Sequence, residues 1–179
     1  VRMLGGTPLE FNTIHVVDAV VESHEGMRDV LPSRELIADS VEVMVRAHQF
    51  DGMVLIPGGD KVVPGMVMAA ARLDIPSIVF YGGITGSGKY KDNTIRLEEM
   101  WEAVGAFRDG KISAVDLQGF EDNAFPNFGG GASCYTGNTM AMLTEAMGMA
   151  LPLTSTLTAA TPFQIRAAKE TGMQIMRLI

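Results

Sequence analysis

Asp18, Asp60 and Lys61 are the side chains of this sequence best able to do chemistry together. Each is expected just past a short apolar run. Asp18 follows Asn12 to Val17 (NTIHVV), and Asp60 with Lys61 follows Asp51 to Pro57 (DGMVLIP) and the pair Gly58-Gly59. Two carboxylates on neighbouring loop ends are what a hard cation such as Mg²⁺ requires, because it takes oxygen ligands and keeps several waters. The same residues also suit helix caps or solvated loop positions, where most surface Asp is found. Lys61 is either a surface lysine in a weak ion pair or a ligand or base beside a metal, and spacing does not choose between these.

Two further stretches could carry chemistry. Gly83 to Lys89 has the G-x-x-x-x-G-K core of a phosphate loop, but Tyr90 stands where such a loop needs a Ser or Thr hydroxyl for Mg²⁺. The alternative is a flexible Gly/Ser loop at the rim of a site. Gly129 to Met140 leads a Gly-rich turn into a helical pattern, and its amides could hold an anion or cofactor. Cys134 lies in that turn, while His15, His24 and His48 are all far upstream. As a nucleophile Cys134 needs the fold to bring a histidine to it; otherwise it reads as a buried, inert cysteine near a helix start.

The elements that must position these residues alternate in type. Short apolar runs at Asn12 to Val17, Asp51 to Pro57 and Pro76 to Tyr81 read as buried strands. Helical spacing is expected from Ser33, as N-cap, to about Gln49, and from near Pro64 to about Leu73. Further helical patterns run over Thr94 to Phe107, about Thr136 to Met149, and Gln164 to Leu178. Asp109 to Gly131 is polar, Gly-rich and weakly periodic, and reads as a long functional loop or connection. Strands alternating with helices predict an α/β, three-layer domain with a mainly parallel sheet, in which ligands collect beyond the C-terminal strand ends.

Composition narrows the class. The 179 residues fit one domain, 1–179, and 47% hydrophobic residues against 20% charged ones are enough for a packed core. A net charge of −7 lacks the basic footprint of a nucleic-acid binder and is repelled by anionic lipid. A single Cys builds neither an internal disulfide framework nor a Cys-rich metal site. No apolar window reaches a bilayer span and no secretory signal opens the chain, so neither nucleic acid nor membrane is an expected partner and the expected compartment is cytoplasmic. The absence of an initiator Met and the stop at Ile179 read as cuts within a longer protein.

Four blocks in order carry a family pattern: Pro8 to Ile14 (PLEFNTI) with Asp18; His24 to Glu42 (HEGMRDVLPSRELIADSVE); Gly59 to Gly65 (GDKVVPG); and Gly129 to Pro152. With these the chain resembles the N-terminal part of the dihydroxy-acid dehydratase and 6-phosphogluconate dehydratase family. The resemblance implies a portion of the N-terminal domain of a longer hydro-lyase. Such an enzyme converts a 2,3-dihydroxy acid or sugar acid to a 2-keto acid, in amino-acid biosynthesis or sugar-acid metabolism. It implies an Fe–S cluster acting as Lewis acid on the departing 3-hydroxyl, and Mg²⁺ at the carboxylate end. Asp18 and Asp60 match Mg²⁺ ligands, and Lys61 matches a lysine that is carbamylated in some members and then also ligates Mg²⁺. A homodimer, or a partner domain that completes the site, is implied as well.

The chain departs from that pattern at the cluster. Gly59 and Gly131 stand at two family Cys positions, Cys134 comes three residues too late, and the third cluster Cys belongs upstream of Val1. Fe–S clusters are held mainly by Cys thiolates, so no family-type cluster is expected in this chain. The family's Ser base and a further Mg²⁺-ligating Glu belong to a C-terminal domain, so no catalytic residue is assigned here. The isolated chain is expected to be inactive, and the alternative is a dehydratase-derived binding or assembly module.

Overall fold

The computed structural model describes residues 1–179. Its elements run α1 (Asp18–Val21), α2 (Ser33–His48), β1 (Met53–Leu55), α3 (Val62–Leu73), β2 (Ser77–Val79), β3 (Gly88–Tyr90), β4 (Asn93–Ile95), α4 (Leu97–Arg108), α5 (Ala114–Asn123), α6 (Thr136–Ala146) and α7 (Pro162–Leu178), with 3-10 turns at Arg2–Leu4 and Glu25–Asp29. The class is α/β, as the alternation predicts. β1 and β2 pair in parallel with Met53 opposite Ser77 and Leu55 opposite Val79. Ile84, beyond β2, adds parallel bridges to Gly130 and Thr158. The antiparallel pairing belongs to the small β3–β4 hairpin.

The core follows from the spacing of apolar residues. Ala38, Val41 and Val45 recur on one face of α2 and meet Ala69 and Ala70 of α3 over Met53, Leu55 and Val79. Each large aliphatic side chain fully buried here contributes about 1.5–3 kcal/mol. Small residues let α2 and α3 come close: an added Cβ at Gly65 would sit 2.9 Å from Ile37 Cγ2 and 3.0 Å from the Arg34 carbonyl oxygen. Across the outer edge of the same helix pair, the Arg72 guanidinium meets Glu35, Asp39 and Glu42 at 3.2, 2.7 and 3.5 Å. α7 contacts both β1 and β2. No helix is long and apolar enough to cross a membrane.

Several expectations are corrected. Asn12 to Val17 forms no strand; it runs extended, and Asp18 opens the one-turn α1 instead of ending a strand. A short apolar run is insufficient here because the segment finds no ladder partner. Asp109 to Gly131 is not a plain loop: α5 lies within it, started by a capping box in which Ser113 Oγ accepts from Asp116 N at 3.1 Å. Ser33 is the first helical residue and not the cap, because its hydroxyl donates back to the Val30 carbonyl at 2.6 Å. The Thr94 to Phe107 pattern splits, with Thr94 in β4 and the helix starting at Leu97. The Gly83 to Lys89 stretch enters strand β3, not a helix, so its amides are not backed by a helix N-terminus and the phosphate-loop reading falls.

The close approach of α2 and α3 predicts that Gly65→Val lowers stability by about 1–3 kcal/mol through overpacking. Urea unfolding midpoints measure this, and equal midpoints would mean that the two helices can part at no cost.

Candidate functional site

β1 delivers the site. Parallel pairing continues past the strand through Phe80 N donating to Leu55 O and Gly82 N to Pro57 O, both at 2.8 Å, which fixes where the chain leaves the sheet. Gly58 and Gly59 then turn it into α3, and Asp60 is left buried at 6% exposure. One Asp60 oxygen pairs with the Lys61 ammonium. The other, Oδ1, is buried without a hydrogen-bond partner.

Asp18 comes to the same place from α1. Burial, then a side-chain hydrogen bond to Asp60 and the charge of that carboxylate, push its pKa above the usual aspartate range, with the Ala19 amide and Lys61 opposing. Both line one cavity of about 690 Å³. The structure thus brings Asp18, Asp60 and Lys61 together, with Lys61 placed as an ammonium counter-charge on Asp60. Two adjacent carboxylates, one with a free buried oxygen, can coordinate a cation.

The Gly129–Gly131 loop lines the same cavity. A buried amide holds it in place: Asn138 of α6 donates from Nδ2 to the Gly131 carbonyl at 2.8 Å and also to the Ser133 carbonyl, while its Oδ1 accepts from Tyr81 Oη at 3.0 Å. Tyr81 also lies close enough to Asp60 to feel its charge. Burial and that carboxylate push the phenol up to about 12, so it remains a donor at neutral pH. Gly130 is required by this packing, since a Cβ there would stand 2.6 Å from Tyr81 Oη. Tyr81 and Asn138 have no assigned role from sequence reasoning; the signal available was Tyr81 at the end of an apolar run facing the Gly-rich turn.

Gly59 and Gly131 line the same cavity. Their surroundings differ. An ideal Cβ at Gly131 meets nothing closer than Tyr135 Cδ2 at 3.4 Å, whereas one at Gly59 would lie 2.2 Å from His15 Nε2. Cys134 is exposed and does not line this cavity, which corrects the expectation of a buried cysteine. Tyr135 does line it, with its ring edge-on to Trp101 at 5.9 Å. Glu145, within the last sequence block, is structural: its carboxylate accepts from the Leu153 amide at 2.7 Å and the Ser155 amide at 3.0 Å.

Residues 1–179 match the family described as "Dihydroxy-acid/6-phosphogluconate dehydratase N-terminal". The chain is similar to the dihydroxy-acid dehydratase of Pyrococcus abyssi, 51% identical over 179 residues, covering 100% of this chain and 32% of the relative. It is also similar to that of Caldicellulosiruptor bescii, 50% identical over 179 residues, again 100% of this chain and 32% of the relative. For the dihydroxy-acid dehydratase of Methanococcus maripaludis the identity is 49% over 175 residues, 98% of this chain and 32% of the relative. The chain therefore spans about a third of the length of the curated relatives it matches.

The raised Asp18 pKa gives a signed prediction. The folded state binds this proton more tightly than the unfolded state. The resulting stability is present below the ordinary aspartate pKa and is lost as pH rises through the raised value. Asp18→Asn is therefore expected to be more stable than the wild type at pH 7 in chelator, with the gap closing at or below about pH 4. Urea midpoints at the two pH values test it, and a gap that does not change with pH would separate the two carboxylates.

Proposed function

We propose, from the premise that this chain belongs to the dihydroxy-acid/6-phosphogluconate dehydratase family, that it forms part of the N-terminal domain of a hydro-lyase and supplies the cation-binding wall of its site. The substrate class is a small 2,3-dihydroxy acid or sugar acid, and the product a 2-keto acid. The reading is carried by one observation: Asp60 is buried with an unpartnered Oδ1 beside Asp18 in a shared cavity. An orphaned buried carboxylate oxygen next to a like charge is costly unless a cation, or at lower pH the proton held by Asp18, completes it. Mg²⁺ fits this donor set, with Asp18 and Asp60 as oxygen ligands. When bound, the ion supplies a Lewis-acid hold on the carboxylate end of the acid.

Lys61 neutralises Asp60 as an ammonium. Carbamylation of Lys61 would turn that charge into an anionic oxygen and add a ligand. The Gly129–Gly131 loop, tied by Asn138, lines the same cavity. The Fe–S cluster of the family does not fit the residues present. Gly59 and Gly131 offer no thiolate, the space beside Gly59 is taken by the His15 ring, and Cys134 lies outside the cavity. No dehydration step is assigned to this chain alone. Its site is completed by a partner domain or a second copy, in keeping with its span of about a third of its relatives. The missing thiolates favour a second reading, a dehydratase-derived binding or assembly module without turnover.

Two measurements test these readings. Calorimetric titration is expected to give Mg²⁺ binding that Asp60→Ala loses; equal heats for both proteins would remove Asp60 from the ligand set. Anaerobic reconstitution with iron and sulfide is expected to give no stoichiometric iron. A visible cluster band that disappears in Cys134→Ser would restore cluster chemistry to the chain.

A further inference from the structure

A second cavity, of about 370 Å³, lies along β1. It is lined by the extended segment Leu9 to His15, by Gly52 to Ile56, and by Val41, Val62 and Met66 of α2 and α3. Met53 N donates to the Pro76 carbonyl and the Leu55 carbonyl accepts from Phe80 N, both at 2.8 Å, so these two residues turn their polar groups to β2. Alternation along the strand turns those of Val54 and Ile56 the other way. β2 is the single ladder partner of β1, and no backbone hydrogen bond reaches Ile56. Leu9 to Val16 make no backbone–backbone hydrogen bond either. Phe11 stacks on Phe50, just before β1, at 6.2 Å, and His15 lies at Gly59, just after it. The segment therefore runs alongside β1 in the same direction, and two rows of unpaired backbone border one cavity.

We propose that this groove receives a further β-strand of the same protein, parallel to β1, from the stretch that precedes Val1. An unpaired edge above apolar side chains is a template for strand addition. Both faces of the β1–β2 pair are already covered, as parallel strands require: the α2–α3 core takes one, and α7 contacts both strands without entering that core. Two strands are fewer than such a sheet needs. Length is available, since the chain spans about a third of its relatives. Right-handed crossovers select the source. β1 steps to β2 over the α3 face, so a step the opposite way, from the groove to Leu9, must use the α7 face. Val1 lies on that face: a Cβ at Gly172 of α7 would be 3.5 Å from its amino nitrogen. The stretch after Ile179 instead follows Thr158, which bridges Ile84 beyond β2, and consecutive elements are usually neighbours. His15 and Gly58 line both this groove and the cavity of Asp18 and Asp60. A parallel strand here thus ends at that cavity and adds its exit loop to it, whether or not a cation is bound there.

Amide hydrogen exchange, read residue by residue by NMR, tests this on residues 1–179 and on the same chain extended in its own reading frame, upstream in one protein and downstream in another. In residues 1–179 the Val54 and Ile56 amides are expected to exchange freely and the Met53 amide slowly. With the upstream stretch attached, exchange at Val54 and Ile56 is expected to slow by about a hundredfold or more. The same stretch added as a saturating synthetic peptide is expected to protect the same two amides, which keeps the test open should the longer chain not fold. Ile56→Pro removes an amide that is unbonded in residues 1–179, so it is expected to leave their urea midpoint unchanged while abolishing the protection by the peptide. No slowing by the longer chain or by the peptide overturns the proposal. So does protection that comes from the downstream stretch, or that appears on raising the concentration of residues 1–179 alone, which would give the edge to a second copy.

Discussion

The arrangement of this chain turns on one buried carboxylate. Asp60 is taken out of water at the exit of β1, with Asp18 brought up beside it. Removing a charge from water costs several kcal/mol unless partners replace the solvent. Lys61 satisfies one oxygen and leaves the other without a partner. Such an arrangement holds only if rigid surroundings forbid the carboxylate from swinging out. Those surroundings are the β1–β2 ladder, which continues through Phe80 and Gly82, and α3, which begins directly after Lys61. The α2–α3 core beneath then has a positioning role as well as a stabilising one, since it sets where α3 starts.

The Gly-rich loop and that carboxylate both have Tyr81 as a neighbour. Its phenol donates to Asn138, and Asn138 holds the carbonyls of the Gly-rich loop. The Asp60 charge helps keep that phenol protonated. Tyr81, Asn138 and the loop carbonyls therefore form one buried polar network, on which the Asp60 charge acts through space. Networks of this kind specify a geometry more sharply than apolar contacts do, because a misplaced member leaves a buried donor or acceptor unpaired.

The class of fold and the place of Asp60 and Lys61 at the exit of β1 were legible in the sequence because both rest on local signals, whereas Asp18 was expected to arrive from a strand that does not form and comes from α1 instead. Buried runs such as Asp51 to Pro57 end in Gly pairs, and charged residues follow directly. What was not legible depended on partners distant in the chain. Asn12 to Val17 has strand composition but no ladder to join, and no property of those six residues reports that. α5 was missed although its capping box, Ser113 with Asp116, was present in the sequence; its buried face is too slight to produce periodicity. The proximity of His15 to Gly59 had no local signal, because it depends on how an extended segment lies along the exit of β1. The roles of Tyr81 and Asn138 depend likewise on a contact between residues 57 positions apart.

That separation also orders events during synthesis. The segment from α2 to β2 is contiguous and can pair β1 with β2 as soon as it has emerged. Asp60 is then already at the end of its strand, but the loop that walls it in, and the amide that ties down that loop, belong to chain not yet made. Until Asn138 emerges and α6 docks, the acidic pair faces solvent on an open surface. Closing so long a loop carries an entropic cost that local pairing does not. A ribosome stalled between the two would present the carboxylates without their cavity, and the β1–β2 scaffold itself gains its last support only when α7 packs on both strands.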